Sequence, residues 1–191
     1  SMEISDATVH YFRPLPPVVG ISGRAEFGPG YFKITTEGGQ VGKNIKLGAG
    51  RVDLTELDTL ENASVSVALE TPLRDALQLL DRKPLGLITK LDIDPNDLAG
   101  EGNVETSFKF RLLNSLKADD VIYAARASMR NVSMKNAPLD STISNGLLNL
   151  DLNTSGMTIS GNAEMNGEPV LIDWRENFKD TEDLRSRYDV T

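Results

Sequence analysis

Residues 145–174 read NGLLNLDLNTSGMTISGNAEMNGEPVLIDW, and an apolar side chain recurs there at nearly every second position. Leu148, Leu150 and Leu152 alternate with Asn149 and Asp151. Beyond Ser155-Gly156, Met157 and Ile159 alternate with Thr158 and Ser160, and Ala163 and Met165 lead into Asn166-Gly167. Successive side chains of a strand point to opposite faces, so the stretch predicts a sheet with one apolar and one wet face. Val65, Val67, Leu69 and Val104, Thr106, Phe108, Phe110, Leu112 carry the same alternation. The predicted lining of one shared interior is therefore Val65, Val67, Leu69, Phe108, Phe110, Leu112, Leu148, Leu150, Leu152, Met157, Ile159, Ala163 and Met165. Lys109 and Arg111, interleaved with the phenylalanines, are expected to point to water.

Glycine-bearing turns punctuate these runs. Glu37-Gly38-Gly39-Gln40, Ser155-Gly156 and Asn166-Gly167 read as hairpin turns, and Gly28-Pro29-Gly30 and Gly48-Ala49-Gly50 as further bends. The predicted strands are 18–27, 31–36, 40–47, 51–54, 63–70, 102–112, 121–134, 142–153, 157–165 and 170–174, about ten by this reading. The fold class is mainly β: an antiparallel, meandering, curved sheet, either an open groove or a flattened sandwich. One helix interrupts it near 71–81. Thr71 suits a cap, Pro72 the first helical position, and Leu73, Ala76, Leu77 and Leu80 form one apolar stripe before Pro84. That helix is expected to plug an end or edge of the sheet. Residues 177–188, thin in apolar content, read either as a second short helix or as a frayed terminus. Residues 21–54 and 143–174 share a faint strand–turn–strand rhythm, which suggests stacked meanders.

Composition removes several function classes. A net charge of -8 and a pI near 4.7 oppose nucleic-acid binding, which needs clustered Lys and Arg. Without cysteine there is no disulfide and no thiolate metal site. The one histidine, His10, leaves no partner for a triad or a His-rich metal site. Glycine stretches such as GPGYFK and GAGRVD lack the third glycine of a dinucleotide loop. In DIDPNDLAGEGN, Asp92, Asp94 and Asn96 occupy the first calcium-loop positions. Asp97 then stands where glycine is required and Asn103 where glutamate is, so the stretch reads as an acidic turn. Carboxylates abound, but aromatics make up only 6%, few to line a sugar-cleaving cleft. The expectation is a protein that is no enzyme and has no metal or other cofactor.

No stretch reaches the length of a membrane span. The opening Ser1-Met2 looks like a scar of tag cleavage, so the chain is read as an excised piece. Its expected organisation is an N-terminal arm over 1–19, a β domain over 20–178 and a tail, or the start of a further repeat, over 179–191.

Three stretches carry a family resemblance: VALETPLRDALQLLDRKPLG from Val67, GEGNVETSFKFRLLNSLKADDVIYAARASMRNVSM from Gly100, and NGLLNLDLNTSGMTISGNAEMNGEPVLIDWRENF from Asn145. A Pro-Leu-Arg helix ends in Leu-Asp and Pro-Leu, and a glycine-led strand pair follows. Leu147 to Leu152, Gly156 to Gly161 and Gly167 to Trp174 then form the tail pattern. Over about residues 20–178 the chain resembles the repeated middle region of AsmA-like proteins, particularly the YhdP-type branch. The resemblance implies a periplasmic segment of a protein anchored in the bacterial inner membrane by an N-terminal helix absent here. Its groove would support phospholipid transport between inner and outer membrane, and with it outer-membrane integrity. Implied partners are phospholipid acyl chains and the flanking repeats of the full-length chain, with membrane contact only through segments absent here. The competing reading is a structural or interaction module of the cell envelope that binds no lipid.

Overall fold

The computed structural model describes residues 1–10, 14–82, 94–113, 115–137, 140–178 and 186–191. Eleven strands form one antiparallel sheet in which the spatial order is the chain order. They are β1 (Met2–Val9), β2 (Val18–Gly28), β3 (Tyr31–Val41), β4 (Ile45–Thr55), β5 (Asn62–Pro72) and β6 (Leu98–Arg111), followed by β7 (Ile122–Ala137), β8 (Ser141–Asn153), β9 (Gly156–Met165), β10 (Glu168–Asn177) and β11 (Ser186–Val190). The sheet is open: β1 and β11 are its two edges and do not pair with each other.

Two turns show why the meander forms where it does. Pro29-Gly30 joins β2 to β3, with proline fixing one dihedral and Gly30 supplying the positive φ (71°) that a type II turn requires. Asn166-Gly167 joins β9 to β10 with φ of 53° and 90°, the left-handed pair of a primed hairpin turn. The Asn166 side-chain oxygen also accepts from the Thr142 backbone N–H (3.0 Å), tying this turn to the start of β8.

The helix α1 (Leu73–Asp81) follows β5 without a break. Thr71 does not cap it. Thr71 is a buried strand residue, and its hydroxyl donates to the Pro72 carbonyl (2.9 Å). Pro72 itself holds the cap position, so strand pairing with Gly102 claims Thr71 before capping can. Leu73 packs with Val132 and Leu148, and Leu79 packs against Val18, Ile21, Val41 and Ile45. The helix therefore lies on one face at one end of the sheet, against β5 and β6. Pro84 and Asp92 lie outside the described residues.

Glu37 to Gln40 is no turn, which corrects the predicted hairpin. β3 runs through it to Val41, and the reversal falls at Gly42 (φ 61°). Gly38 and Gly39 instead accommodate a bulge in the pairing with β2 between Val19 and Gly23. Likewise Gly48-Ala49 bulges inside β4, so 40–47 and 51–54 are not two strands. Nor is 177–188 one helix, because β10 runs to Asn177 and Tyr188 belongs to β11. The predicted arm and the predicted tail thus each contribute an edge strand, β1 and β11, to the sheet.

Burial describes a single layer. No large side chain among the described residues is less than 2% exposed. The two clusters of buried apolar residues are small, and both lie beneath α1. The accessible surface is 12393 Å², against about 8,900 Å² for a compact monomer of this mass. A second sheet packed on the first would have buried that excess.

Candidate binding face

Cross-strand partners share a face, so the register can be followed from edge to edge. One row runs Ile4–Gly23–Thr36–Gly50–Val67–Thr106–Ala125–Leu152–Met157–Glu176–Ser186, and so crosses all eleven strands. Beside it lie Leu47–Leu69–Val104–Ala127–Leu150–Ile159–Trp174–Tyr188 and, towards the helix, Thr71–Gly102–Met129–Leu148–Gly161–Ile172–Val190. Away from the helix comes Ala25–Ile34–Val52–Val65–Phe108–Tyr123, then Phe27–Phe32–Leu54–Ala63–Phe110. The result is one nearly continuous apolar face.

That register brings the predicted lining together. Val65, Val67, Leu69, Phe108, Phe110, Leu148, Leu150, Leu152, Met157, Ile159, Ala163 and Met165 all fall on this face. Leu112 lies just past the end of β6, where its N–H donates to the Glu61 carbonyl (2.7 Å). Phe32, Ile34, Val52, Leu54, Val104, Met129, Ile172 and Trp174 share the face but were outside the predicted lining. Their signal is the same alternation, shortened by the bulges of β3 and β4 for Phe32, Ile34, Val52 and Leu54, diluted by alanines in β7 for Met129, and contained in the predicted strands 102–112 and 170–174 for Val104, Ile172 and Trp174.

Ala25, Ala63, Ala127, Met157 and Ala163 are buried on this face, and the exposure of the other large side chains varies along it. At the helix end Leu148 is buried, as is Leu73 above it. Through the middle, Val65, Val67, Leu69, Leu150, Leu152 and Ile159 are only half-buried. At the far end stand Phe27, Phe32, Phe108, Phe110 and Tyr123, with Phe27 61% exposed. Desolvation raises the Tyr123 phenol above its ordinary pKa, as expected beside phenylalanines. Near β11, Trp174 stacks on Tyr188 (centroids 5.3 Å apart), and the Trp174 indole N–H is buried without a hydrogen-bond acceptor. Glu176 is a buried carboxylate on the same face, accepting from the Ser186 hydroxyl (2.5 Å).

The opposite face is ionic. Its central row reads Ala68–Glu105–Arg126–Asp151–Thr158–Arg175–Arg187. Arg126 bridges to Asp151 (3.2 Å) and Arg130 to Glu101 (2.5 Å) across strands, while Arg51–Asp53 (2.6 Å) and Arg175–Asp173 (2.8 Å) pair within one. Hydrogen bonding by Arg51 holds the Asp53 carboxyl below the usual carboxylate range, against the opposing effect of its slight burial. Exposed pairs of this kind stabilise little and mainly keep the face wet. Lys109 lies on it, and both Lys109 and Arg111 are exposed.

No group of side chains in the described residues is arranged to hold a metal ion. Asp94 caps its own turn, accepting from the Asn96 N–H (2.8 Å), and Asp97 accepts from the Asn136 amide (2.8 Å). His10 is exposed. The best-defined concavities, about 290 and 430 Å³, are shallow depressions on the ionic face around Asp151 and Thr158. No described helix is long and apolar enough to cross a membrane. No family model, curated protein or solved structure matches the chain.

Proposed function

We propose that this chain is a segment of a lipid-carrying β groove, and that its apolar face holds phospholipid acyl chains. The observation that carries the reading is the face itself: apolar rows span the sheet, half-exposed, with the short helix α1 over one end. Apolar patches beyond a few hundred Å² on soluble proteins mark ligand or partner sites. Each methylene moved from water onto the face gains about 0.8 kcal/mol, so a long acyl chain is held firmly with no specific contact. Headgroups stay in water at the open side. Aliphatic and Met side chains suit a flexible chain that slides.

On this reading the full-length protein is AsmA-like: periplasmic, anchored in the inner membrane, and supporting phospholipid movement to the outer membrane. The chain holds and passes lipid and performs no chemistry. A photo-crosslinking residue at Leu150 or Ile159 is expected to capture phospholipid in cells, while the same probe at Asn149 or Ser160, on the ionic face, is not. Equal labelling of both faces would reduce the result to membrane proximity, and labelling of neither would leave a structural module that binds no lipid.

A further inference from the structure

We propose, resting on the acyl-chain reading, that α1 is a built-in occupant of the apolar face: it closes the β2–β4 corner to lipid and turns the acyl track obliquely across the sheet. Two contacts fix how the helix sits. Leu73 packs with Val132 of β7 and Leu148 of β8, whereas Leu79 packs against Val18 and Ile21 of β2, Val41 of β3 and Ile45 of β4. From Leu73 to Leu79 is about 9 Å along a helix axis, and neighbouring strands lie about 4.8 Å apart. The axis of α1 therefore crosses the strands and runs along the rows, the direction that a groove across the sheet must take. Val18, Ile21, Val41 and Ile45 are left only 5–9% exposed beneath it. At the other end of the same strands Phe32, Ile34, Val52 and Leu54 stay half-buried, and Phe27 is 61% exposed.

The second half of the sheet is open on the opposite side. The rows through Tyr123 and Phe110 do not continue there, because β8 ends at Asn153 and β9 starts at Gly156, just past the Leu152–Met157 pair. Its half-buried apolar residues lie towards the helix end instead: Ile143, Met165, Val170 and Ile172. The open apolar surface thus runs diagonally, from Val52 through Leu150 and Ile159 to Ile172. The hold of α1 on its corner is chiefly leucine against sheet. The helix has nine residues and no side-chain cap at its start, whereas an isolated helix needs about 12–15 residues to be even marginally stable. Two exposed hydrogen bonds pin it: the Asn44 amide donates to the Asp75 carboxylate (3.0 Å), and the Arg74 guanidinium to the Asn96 carbonyl (3.2 Å). The same removal of apolar surface from water would hold an acyl chain, so helix and lipid compete for one corner.

A phosphatidylethanolamine carrying a diazirine in its acyl chain, loaded from vesicles onto the purified chain and mapped by peptide after photolysis, tests this. In the wild type, label is expected at Val52, Leu54 and Ile172 and absent from Val41 and Ile45. Leu79→Asp should undock α1, seen as lost amide protection over 73–81, and raise Val41 and Ile45 to the labelling of Val52. Leu79→Ala should give a smaller rise and carries the comparison if the aspartate variant unfolds, with circular dichroism reporting whether the sheet persists. Wild-type label on Val41 and Ile45 equal to that on Val52 overturns the proposal and leaves the lipid reading standing. So does a folded Leu79→Asp chain that keeps its protection over 73–81, or that loses it while Val41 stays unlabelled. Label at none of these positions overturns the lipid reading and the role of α1 together.

Discussion

Ile159→Asp separates an open face from a closed core. Ile159 is half-buried, flanked by Leu150 on β8 and Trp174 on β10, and it packs against the cluster of Leu73, Val132 and Leu148. Complete burial of an isoleucine is worth about 1.5–3 kcal/mol, so a half-buried one forfeits about 1 kcal/mol. Exchanging a β-branched residue for aspartate in a strand costs about 1 kcal/mol more. The new carboxylate sits on an open face and keeps much of its hydration. The expected loss is therefore about 2 kcal/mol, a fall in Tm of about 4–8 °C for a chain of this size. In a closed core the same carboxylate would be unpaired and dehydrated, adding several kcal/mol and unfolding the domain. Leu148→Ala calibrates the scale: Leu148 is buried under the helix, and its truncation should cost about 2–4 kcal/mol. Thermal and urea melts of both variants measure this. An Ile159→Asp protein that is unfolded, or far less stable than Leu148→Ala, refutes the open face. Crosslinking from Leu150 in the same variant should fall relative to wild type, and undiminished lipid capture would refute the acyl-chain reading.

Other consequences can be checked separately. A Cβ on Gly161 would overlap the Leu147 carbonyl oxygen, and φ there is +150°; Gly161→Val should lose about 2–4 kcal/mol in a urea melt. Asp53, its pKa lowered by Arg51, contributes stability above the unfolded carboxylate pKa of about 3.9 and loses it as pH falls through the lower folded value. The Tm gap between wild type and Asp53→Asn, small at pH 7, should accordingly shrink as pH falls below the ordinary carboxylate range. Because Asp94 and Asp97 already serve other partners, calorimetry with calcium should detect no site tighter than about millimolar. A micromolar site abolished by Asp94→Ala would show that the acidic turn rearranges around the ion.

Alternation made the sheet legible, because it is the direct imprint of a two-faced layer on a sequence. Leu148, Leu150 and Leu152 occupy the predicted face for that reason, and Asn166-Gly167 turns where primed geometry demands. The bulges were not legible. A glycine pair such as Gly38-Gly39 serves a turn and a bulge through the same backbone freedom, and only the partner strand decides between them. Thr71 looked like a cap because capping is a local signal, whereas its pairing with Gly102 is a long-range one. The edges escaped for a different reason. β11 alternates Tyr188 and Val190 with Arg187 and Asp189 over only five residues, too few to announce a strand, and the alternation of β1 is broken by the register shifts around Ala7. The extent of the apolar face follows from the alternation of many short runs, but whether a second layer covers it is a tertiary fact that no periodicity encodes.

The strict neighbour order of the meander also governs how the molecule is made. Each strand finds its partner immediately upstream or downstream, joined in most cases by a short turn, so pairing involves small loop closures and low contact order. The sheet can assemble as a zipper from any established hairpin, each added strand using the last as its template. Its energetics approach those of a one-dimensional array, where stability grows with each neighbour added and is lost first from the ends. β5 to β8 share the most extensive pairings and α1 anchors their flank, making them the natural seed. β11, with five residues and one partner, should fray first. Hydrogen exchange should accordingly protect the middle strands most and decay outward in both directions, a gradient of local stability running across the sheet, perpendicular to its strands.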